Sequence, residues 1–283
     1  MVERSVTLRV LAHLVMVLGL VIVAFPLYLA FVASTHTAQD IIQAPMPLLP
    51  GNNLVDTYQA ALFGGHGGAG STAPAARMMW VSLVTALVIT IGKIAISLLS
   101  AFAIVYFRFP FKGFFFWAIF VTLMLPVEVR IMPTYKVVSD LGMLNSFAGL
   151  TIPLIASATA TFLFRQFFLT VPEELVEAAR MDGAGPMRFF KDVLLPLSKT
   201  SIAALFVIQF IYGWNQYLWP LLITTDEGMY TIVMGIKRMI TVADQAAQWN
   251  LAMAAVVLAL LPPVAVVVLA QRWFVKGLIE PEK

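Results

Sequence analysis

The chain has 283 residues, of which 60% are apolar and only 12% are charged. Soluble domains carry about 25% charged residues, so this composition indicates a membrane protein. The net charge of +3 requires no nucleic-acid partner, because the cytoplasmic loops of membrane proteins are also basic. The absence of cysteine excludes disulfides, zinc–thiolate sites and thiol nucleophiles.

Apolar segments long enough to cross a bilayer recur along the chain, and a crossing takes about 20 helical residues. Because backbone groups in lipid must be paired within their own segment, we expect an all-α membrane protein with six transmembrane helices. The first segment is too long for a cleavable signal peptide and lacks a cleavage site, so we expect it to be retained. The predicted spans lie near residues 10–33, 79–106, 114–134, 145–166, 199–223 and 250–271.

The distribution of Lys and Arg predicts the orientation of these spans. The side that both termini share receives most of them, including Arg108, Lys112, Arg165 and Arg188. The positive-inside rule therefore predicts that both termini and residues 170–198 are cytoplasmic. We accordingly divide the chain into an N-terminal helix with an external loop (1–76), a transmembrane core (77–272) and a cytoplasmic tail (273–283). A glycine-rich run within the external loop, residues 64–70, is typical of a flexible linker.

Polar residues inside the predicted spans are candidates for a pathway through the membrane. Lys93 lies well inside the second span, where a charge is costly, and it shares one helix face with Ser97. This stripe either lines the pathway or packs against a neighbouring span. The amides of the fifth span lie among aromatic residues, which allows either a pathway wall or an interfacial aromatic belt. The candidate pathway residues are Lys93, Ser97, Trp214, Asn215 and Gln216.

Other polar features favour packing or structural roles. Small residues from Ala156 to Thr161 suit close helix contact in a membrane. Glu128 and Arg130 are two residues apart and would not face each other on a helix, so their spacing does not support a gate.

The segment 170–198 is polar although it lies between two apolar spans. Thr170 and Glu173 have the spacing of a capping box, and Asp182-Gly183 is typical of a helix end. Pro186 can open a second short helix, which gives a helix, a turn and a helix. We expect one docking face, formed by Leu175, Ala178, Ala179 and Asp182. The alternative is an ordinary solvated loop.

The same segment resembles a known family signature. Glu177-Ala178-Ala179, followed by Gly183 and by Val193-Leu194-Leu195-Pro196, is similar to the EAA motif of permease subunits of ATP-driven (ABC) importers, with Val193 in place of the usual Ile. Residues 99–110 and 123–130 resemble the carbohydrate-uptake branch of that family. Residues 156–168 and 212–220 resemble the branch that imports sn-glycerol-3-phosphate.

This resemblance implies a fold, a site and a set of partners. It implies a type I ABC importer permease fold, in which a cytoplasmic coupling helix docks on an ATPase subunit. The coupling residues would be Glu177, Ala178, Ala179, Asp182, Gly183 and Ala184. The implied partners are a homologous second permease, two ATPase subunits that carry ATP and Mg, and an extracytoplasmic solute-binding protein. The external loop 224–249 would contact that binding protein through Tyr230, Lys237 and Arg238.

The implied activity is import across a bacterial inner membrane by alternating access. The substrate would be sn-glycerol-3-phosphate, with glycerophosphodiesters as further candidates and a related sugar importer as the alternative. The sequence contains no phosphate-binding P-loop and no soluble stretch long enough for an ATPase domain, so we expect no enzyme activity and no cofactor in this chain. The histidines His13, His36 and His66 are scattered and predict no metal site. A stand-alone secondary transporter is disfavoured because no span carries a central Asp or Glu.

Overall fold

A computed structural model describes residues 6–64, 73–122, 125–241 and 248–279, and the regular elements within those ranges are all helical. This confirms the predicted all-α class. Short three-ten helices occur at Ile152–Leu154 and Glu227–Met229, and a π-helical turn occurs at Phe190–Leu194. The α-helices are α1 (Val6–Ser34), α2 (Ala38–Ile42), α3 (Leu54–Phe63), α4 (Ala75–Tyr106), α5 (Lys112–Val121), α6 (Val127–Asp140), α7 (Phe147–Thr151), α8 (Ala158–Phe168), α9 (Glu173–Met181), α10 (Pro186–Phe189), α11 (Leu195–Leu197), α12 (Lys199–Trp214), α13 (Leu218–Ile223), α14 (Ile232–Thr241) and α15 (Trp249–Ile279).

Three helices in the described ranges are long and apolar enough to cross a membrane by themselves, within α1, α4 and α15. Two further helix pairs meet that test together but bend at a break. The pair Phe147–Leu154 and Ala158–Phe168 bends by 46°, and the pair Pro186–Leu197 and Lys199–Trp214 bends by 72°. The chain therefore has several apolar helices, as predicted, but some of its predicted spans are interrupted.

The interruptions have local causes. The predicted span 114–134 is divided between α5 and α6, and Pro126 precedes α6 with an extended ψ of 145°. The predicted span 145–166 is divided before α8, where the Ser157 side chain accepts a hydrogen bond from the amide of Ala160 and caps the new helix. The predicted span 199–223 is divided between α12, which ends at Trp214, and α13, which begins at Leu218.

One compact unit consists of residues 1–77 and 235–261. Most of the apolar side chains of α1 are exposed within this chain. In the same unit α3 packs on the first half of α15 through Ala61 and Leu251. At the start of α2, hydrogen bonds from the Thr37 side chain and then from its amide hold the pKa of Asp40 below its usual value.

The second unit consists of residues 78–234 and 262–283. Its largest core brings α4, α8, α10 and α12 together around buried aromatic rings, including Phe102, Phe164 and Phe189. Along α12 the rings of Phe210 and Trp214 stack with centroids 5.9 Å apart. A Cβ atom on Gly213 would lie 2.9 Å from the Cα of Ala86, so α12 and α4 approach closely here. The two helices are therefore held as direct neighbours.

A second cluster in this unit joins α6, α7 and α13 through Val138, Leu150 and Trp219. The Trp219 indole donates to the carbonyl of Gly149 at 3.0 Å. Asn145 has a left-handed φ of 52°, and its side-chain oxygen accepts from the amides of Thr225 and Asp226 at 2.6 and 3.0 Å. These bonds hold the segment after α13 beside the segment after α6.

Some sequence-based expectations fall outside the described residues. These concern residues 65–70 of the glycine-rich run, the side chain of Glu128 and the side chains of the tail after Gln271.

The contact between α12 and α4 can be tested by filling the space at Gly213. Gly213→Val places a branched side chain against the backbone of Ala86, and such overpacking costs about 1–3 kcal/mol. Gly113→Val in α5 is the matched control, because nothing lies within 4 Å of a Cβ atom there. We expect G213V, but not G113V, to lower the midpoint of thermal unfolding of the purified permease complex. Equal midpoints for the two variants would contradict the close approach.

Candidate functional site

The most unusual side chain in the second unit is Lys93, a buried cation near the middle of α4. Its side chain is 6% exposed in a 32-residue apolar helix. The ammonium donates to the amide oxygen of Gln209 at 3.1 Å and lies 3.8 Å from the ring centroid of Tyr212. Both partners are on α12, and both are neutral. The ammonium of Lys93 is thus stabilised by an amide dipole and by the π face of a ring.

Lys93 borders a cavity of about 600 Å³. The walls come from α4, α5, α6, α8 and α12, and they mix apolar side chains with charges, amides and hydroxyls. A cavity of this size is large enough for a small-molecule ligand. The polar residues in its wall are Lys93, Ser100, Thr122, Arg130, Ser157, Thr159, Thr161, Gln209 and Tyr212.

Arg130 is the second cation of this cavity, and it is exposed on α6. Lys93 and Arg130 also both border a smaller cavity of about 150 Å³, together with Gln216. Among the described side chains, no carboxylate forms an ion pair with Lys93 or Arg130. The two cations therefore give this part of the molecule a positive potential that favours an anion.

The helix breaks place the hydroxyl groups of the cavity wall. Ser157 precedes α8, and its carbonyl accepts from the Ser97 hydroxyl at 3.3 Å and from the Thr161 hydroxyl at 2.9 Å. Interrupted helices are tolerated at membrane depth where the freed backbone lies in protein or lines a cavity. Residues 156–161, which were predicted to serve helix packing, therefore also form part of the cavity wall.

The predicted pathway residues lie in different surroundings. Lys93 borders both cavities, and Gln216 borders the smaller one, where its amide donates to the Tyr212 carbonyl at 3.0 Å. Ser97 is fully buried, Trp214 is 2% exposed, and neither borders these cavities. Asn215 is the C-cap residue that follows α12, and it is exposed. It borders neither cavity.

Sequence reasoning did not include Arg130 or Tyr212 among the pathway candidates. Spacing within α6 says nothing about what Arg130 faces, since the other walls of the cavity come from α4, α5, α8 and α12. Tyr212 lies three residues after Gln209, so both contact Lys93 from one face of α12. That spacing predicts Tyr212 as a second contact of Lys93 once Gln209 is known to be the first.

The polar segment 170–198 folds as a helix, a turn and a second helix, as predicted. After α9, Gly183 adopts a φ of +72°, which favours glycine. The amide of Ala184 donates to the Ala179 carbonyl at 2.8 Å and that of Gly183 to the Arg180 carbonyl at 3.0 Å, which is a Schellman motif. Pro186 then occupies the first turn of α10.

The N-terminus of α9 differs from the prediction. The Thr170 hydroxyl donates to the Phe167 carbonyl at 2.7 Å, and the N-cap residue is Pro172, which makes no side-chain cap. The predicted capping box is therefore wrong, because the hydroxyl is used by the end of α8.

The faces of α9 also differ in part from the prediction. Val176 and Ala179 pack against the aromatic core, whereas Glu177, Ala178 and Asp182 are exposed. Ala179 is half-buried and is therefore less open than the other residues of the predicted docking face, whose docking role stays a prediction. Of the other coupling candidates, Gly183 is exposed and Ala184 is half-buried. Met181 is 83% exposed and extends the exposed surface.

The residues predicted to contact a binding protein also differ in exposure. Tyr230 is 3% exposed, and its hydroxyl donates to the Thr225 carbonyl at 3.4 Å. It packs in the interior and offers no exposed surface here, so its contact with a binding protein stays a prediction. Lys237 and Arg238 are exposed on α14.

Comparisons with known proteins agree with this architecture. Residues 93–280 match the family model described as "Binding-protein-dependent transport system inner membrane component". Proteins named "sn-glycerol-3-phosphate transport system permease protein UgpE" from Agrobacterium fabrum, Brucella melitensis and Pectobacterium atrosepticum are 62%, 60% and 58% identical, each over 100% of both chains.

A solved structure shares the fold. The fold matches, with a TM-score of 0.77 and 21% identity, a chain of a bacterial ABC transporter involved in the import of the acidic polysaccharide alginate. The match covers 97% of this chain and 99% of that one. The chain belongs to the family of inner-membrane components of binding-protein-dependent transport systems.

Proposed function

We propose that this chain is a permease subunit that carries sn-glycerol-3-phosphate across the inner membrane of a bacterium. The observation that carries the proposal is the identity of 58–62% over the full length of relatives that bear this substrate in their names. The chemistry of the cavity is compatible with it, since two cations without described carboxylate partners border one space. Glycerophosphodiesters, which keep the phosphate, are further substrates of the same route.

A related sugar importer remains the alternative function. A neutral sugar would leave both cations of the cavity, Lys93 and Arg130, without an anionic partner. An unpaired charge is costly where it is buried, as Lys93 is, so the cavity favours an anionic substrate.

ATP binding and hydrolysis belong to two partner subunits, each with its own Mg. The segment 170–198 supplies a docking surface for one of them through the exposed side chains of Glu177, Ala178 and Asp182. The buried face of α9 and the rings of α10 anchor this surface to the membrane helices. Displacement of the surface by an ATPase subunit is therefore transmitted to the bundle.

The route from this surface to the cavity is short. The helical run Pro186–Leu197 is joined to α12 through Ser198, whose hydroxyl donates to the Leu194 carbonyl at 2.6 Å. Helix α12 carries Gln209 and Tyr212, the two contacts of Lys93. A tilt of α12 would change the cavity wall, which is the kind of rigid-body movement that alternating access requires.

The remaining partners follow from the orientation that the charges predict. Both termini and the segment 170–198 are cytoplasmic, and Lys237 and Arg238 lie on the outer side, within reach of a solute-binding protein. A homologous second permease completes the pathway. The exposed apolar surface of α1 suits contact with lipid or with that subunit.

The substrate is tested by uptake in cells. A bacterial strain without its own glycerol-3-phosphate uptake is given this chain together with the binding protein, second permease and ATPase encoded with it. We expect saturable uptake of labelled sn-glycerol-3-phosphate, which glycerophosphodiesters compete with and maltose does not. Uptake of a sugar without uptake of glycerol-3-phosphate would support the alternative instead.

The coupling role is tested at the turn after α9. Gly183→Val forces a branched residue into a left-handed conformation, which costs about 1–2 kcal/mol and distorts the docking surface. Gly185→Val is the matched control, since Gly185 has a φ of −71° and open space around it. We expect G183V to reduce uptake and ATPase co-purification severalfold at equal membrane levels of the permease, with G185V near wild type. Equal uptake and co-purification for the two variants would argue against coupling through this turn.

A further inference from the structure

We infer that Lys93 and Arg130 together bind the phosphate group of the substrate in transit, and that Gln209 holds Lys93 when the cavity is empty. This inference rests on the proposed function, because it names the part of that substrate which the two cations meet. It assigns binding roles to residues on three different helices, α4, α6 and α12.

The first argument is the placement of the two charges. Lys93 and Arg130 border the larger cavity together, and they also border the smaller one together. An anion in the smaller cavity, which has a volume of only about 150 Å³, would therefore lie near both cations. A phosphate monoester carries a charge of about −1.5 to −2 at neutral pH, which two monovalent cations can balance.

The second argument is how weakly Lys93 is held. An ammonium group has three donors, and in the described structure one donor meets Gln209 while the ring of Tyr212 lies beside the charge. A purely structural cation at this depth would be expected to pair with a carboxylate, and neither cation does so among the described side chains. The neutral contacts keep Lys93 in position and leave its charge available.

The third argument is the geometry of Arg130. A guanidinium can donate two parallel hydrogen bonds to a phosphate, which an ammonium cannot do. Arg130 lies on α6, a few residues after the break at Pro126, and borders the cavity. Ser100 and Thr159 border the same cavity and offer hydroxyl groups for the glycerol part of the substrate.

The role of Gln209 explains how the substrate leaves. A transport site must bind its substrate well enough for entry and weakly enough for exit. When the phosphate departs, the amide oxygen of Gln209 again accepts a hydrogen bond from the Lys93 ammonium. The empty site therefore does not contain an isolated charge. Gln209 is thus a positioning residue, and its hydrogen bond joins Lys93 to α12, the helix that follows the segment 170–198.

The experiment uses the complete importer reconstituted in vesicles, with substrate-binding protein outside and ATP inside. The variants Lys93→Gln and Arg130→Gln each remove one cation. Lys136→Gln is the matched control, since Lys136 is a second cation on α6 that pairs with Asp140 at 3.1 Å and borders neither cavity. Transport of sn-glycerol-3-phosphate and of a glycerophosphodiester is measured for each variant.

We expect K93Q and R130Q to lower glycerol-3-phosphate transport roughly ten- to a hundredfold, the range expected for one lost hydrogen bond to an ionised group. The loss should be smaller for the diester, which has one negative charge, so the monoester-to-diester ratio should fall. R130K should recover part of the rate, and K136Q should match wild type.

Wild-type rates and ratios for R130Q would overturn the inference, as would equal losses for both substrates. Because Arg130 is exposed to the cavity, R130Q decides the matter even when K93Q fails to assemble. A wild-type complex that transports no glycerol-3-phosphate would instead contradict the proposed function, so the two failures are distinct.

Discussion

The structure depends on accommodating a buried lysine side chain in the middle of an apolar helix. A lysine near the centre of a membrane span costs about 2.5–3.5 kcal/mol on insertion scales. In this chain Gln209 and Tyr212 offset part of that cost, and both lie on the same face of α12. Their contact requires α4 and α12 to be adjacent, and the small surface of Gly213 against Ala86 permits that approach. The cavity beside Lys93 is formed where the interrupted helices surround this pair.

A second consequence is a mechanical connection between the polar segment and the cavity. The rings of α10 pack with α4 and α8, while the same segment continues through a π-helical turn into α12. The π turn lies just before Pro196, which has no amide to donate to a regular helix. Packed cores of this kind move as units between discrete arrangements. A displacement at α9 would therefore alter the surroundings of Lys93 without a separate transmission element.

The sequence was sufficient for the features that local chemistry controls. Hydropathy predicted the long helices, and Asp182-Gly183 with Pro186 predicted the turn of the coupling segment. The breaks before α6 and α8 were missed because hydropathy reports composition and is insensitive to the backbone path. The hydroxyl of Thr170 was misassigned because it bonds to the carbonyl of Phe167, three residues earlier at the end of α8. The burial of Tyr230 was missed because the polarity of its loop does not show which of its side chains pack inward. The role of Arg130 depends on which helices surround it, and no spacing within α6 contains that information.

We infer that the cavity beside Lys93 is an aqueous route for the substrate. The chain contains no cysteine, so a single introduced thiol reports on its own surroundings. Ser100 borders the cavity, whereas Ser97, one helical turn away on α4, is fully buried and does not. We expect Ser100→Cys in the working importer to react with a charged, water-soluble thiol reagent, and glycerol-3-phosphate to slow that reaction. We expect Ser97→Cys to stay unreactive. Equal inertness of both thiols, or labelling of Ser100→Cys that the substrate does not change, would contradict it.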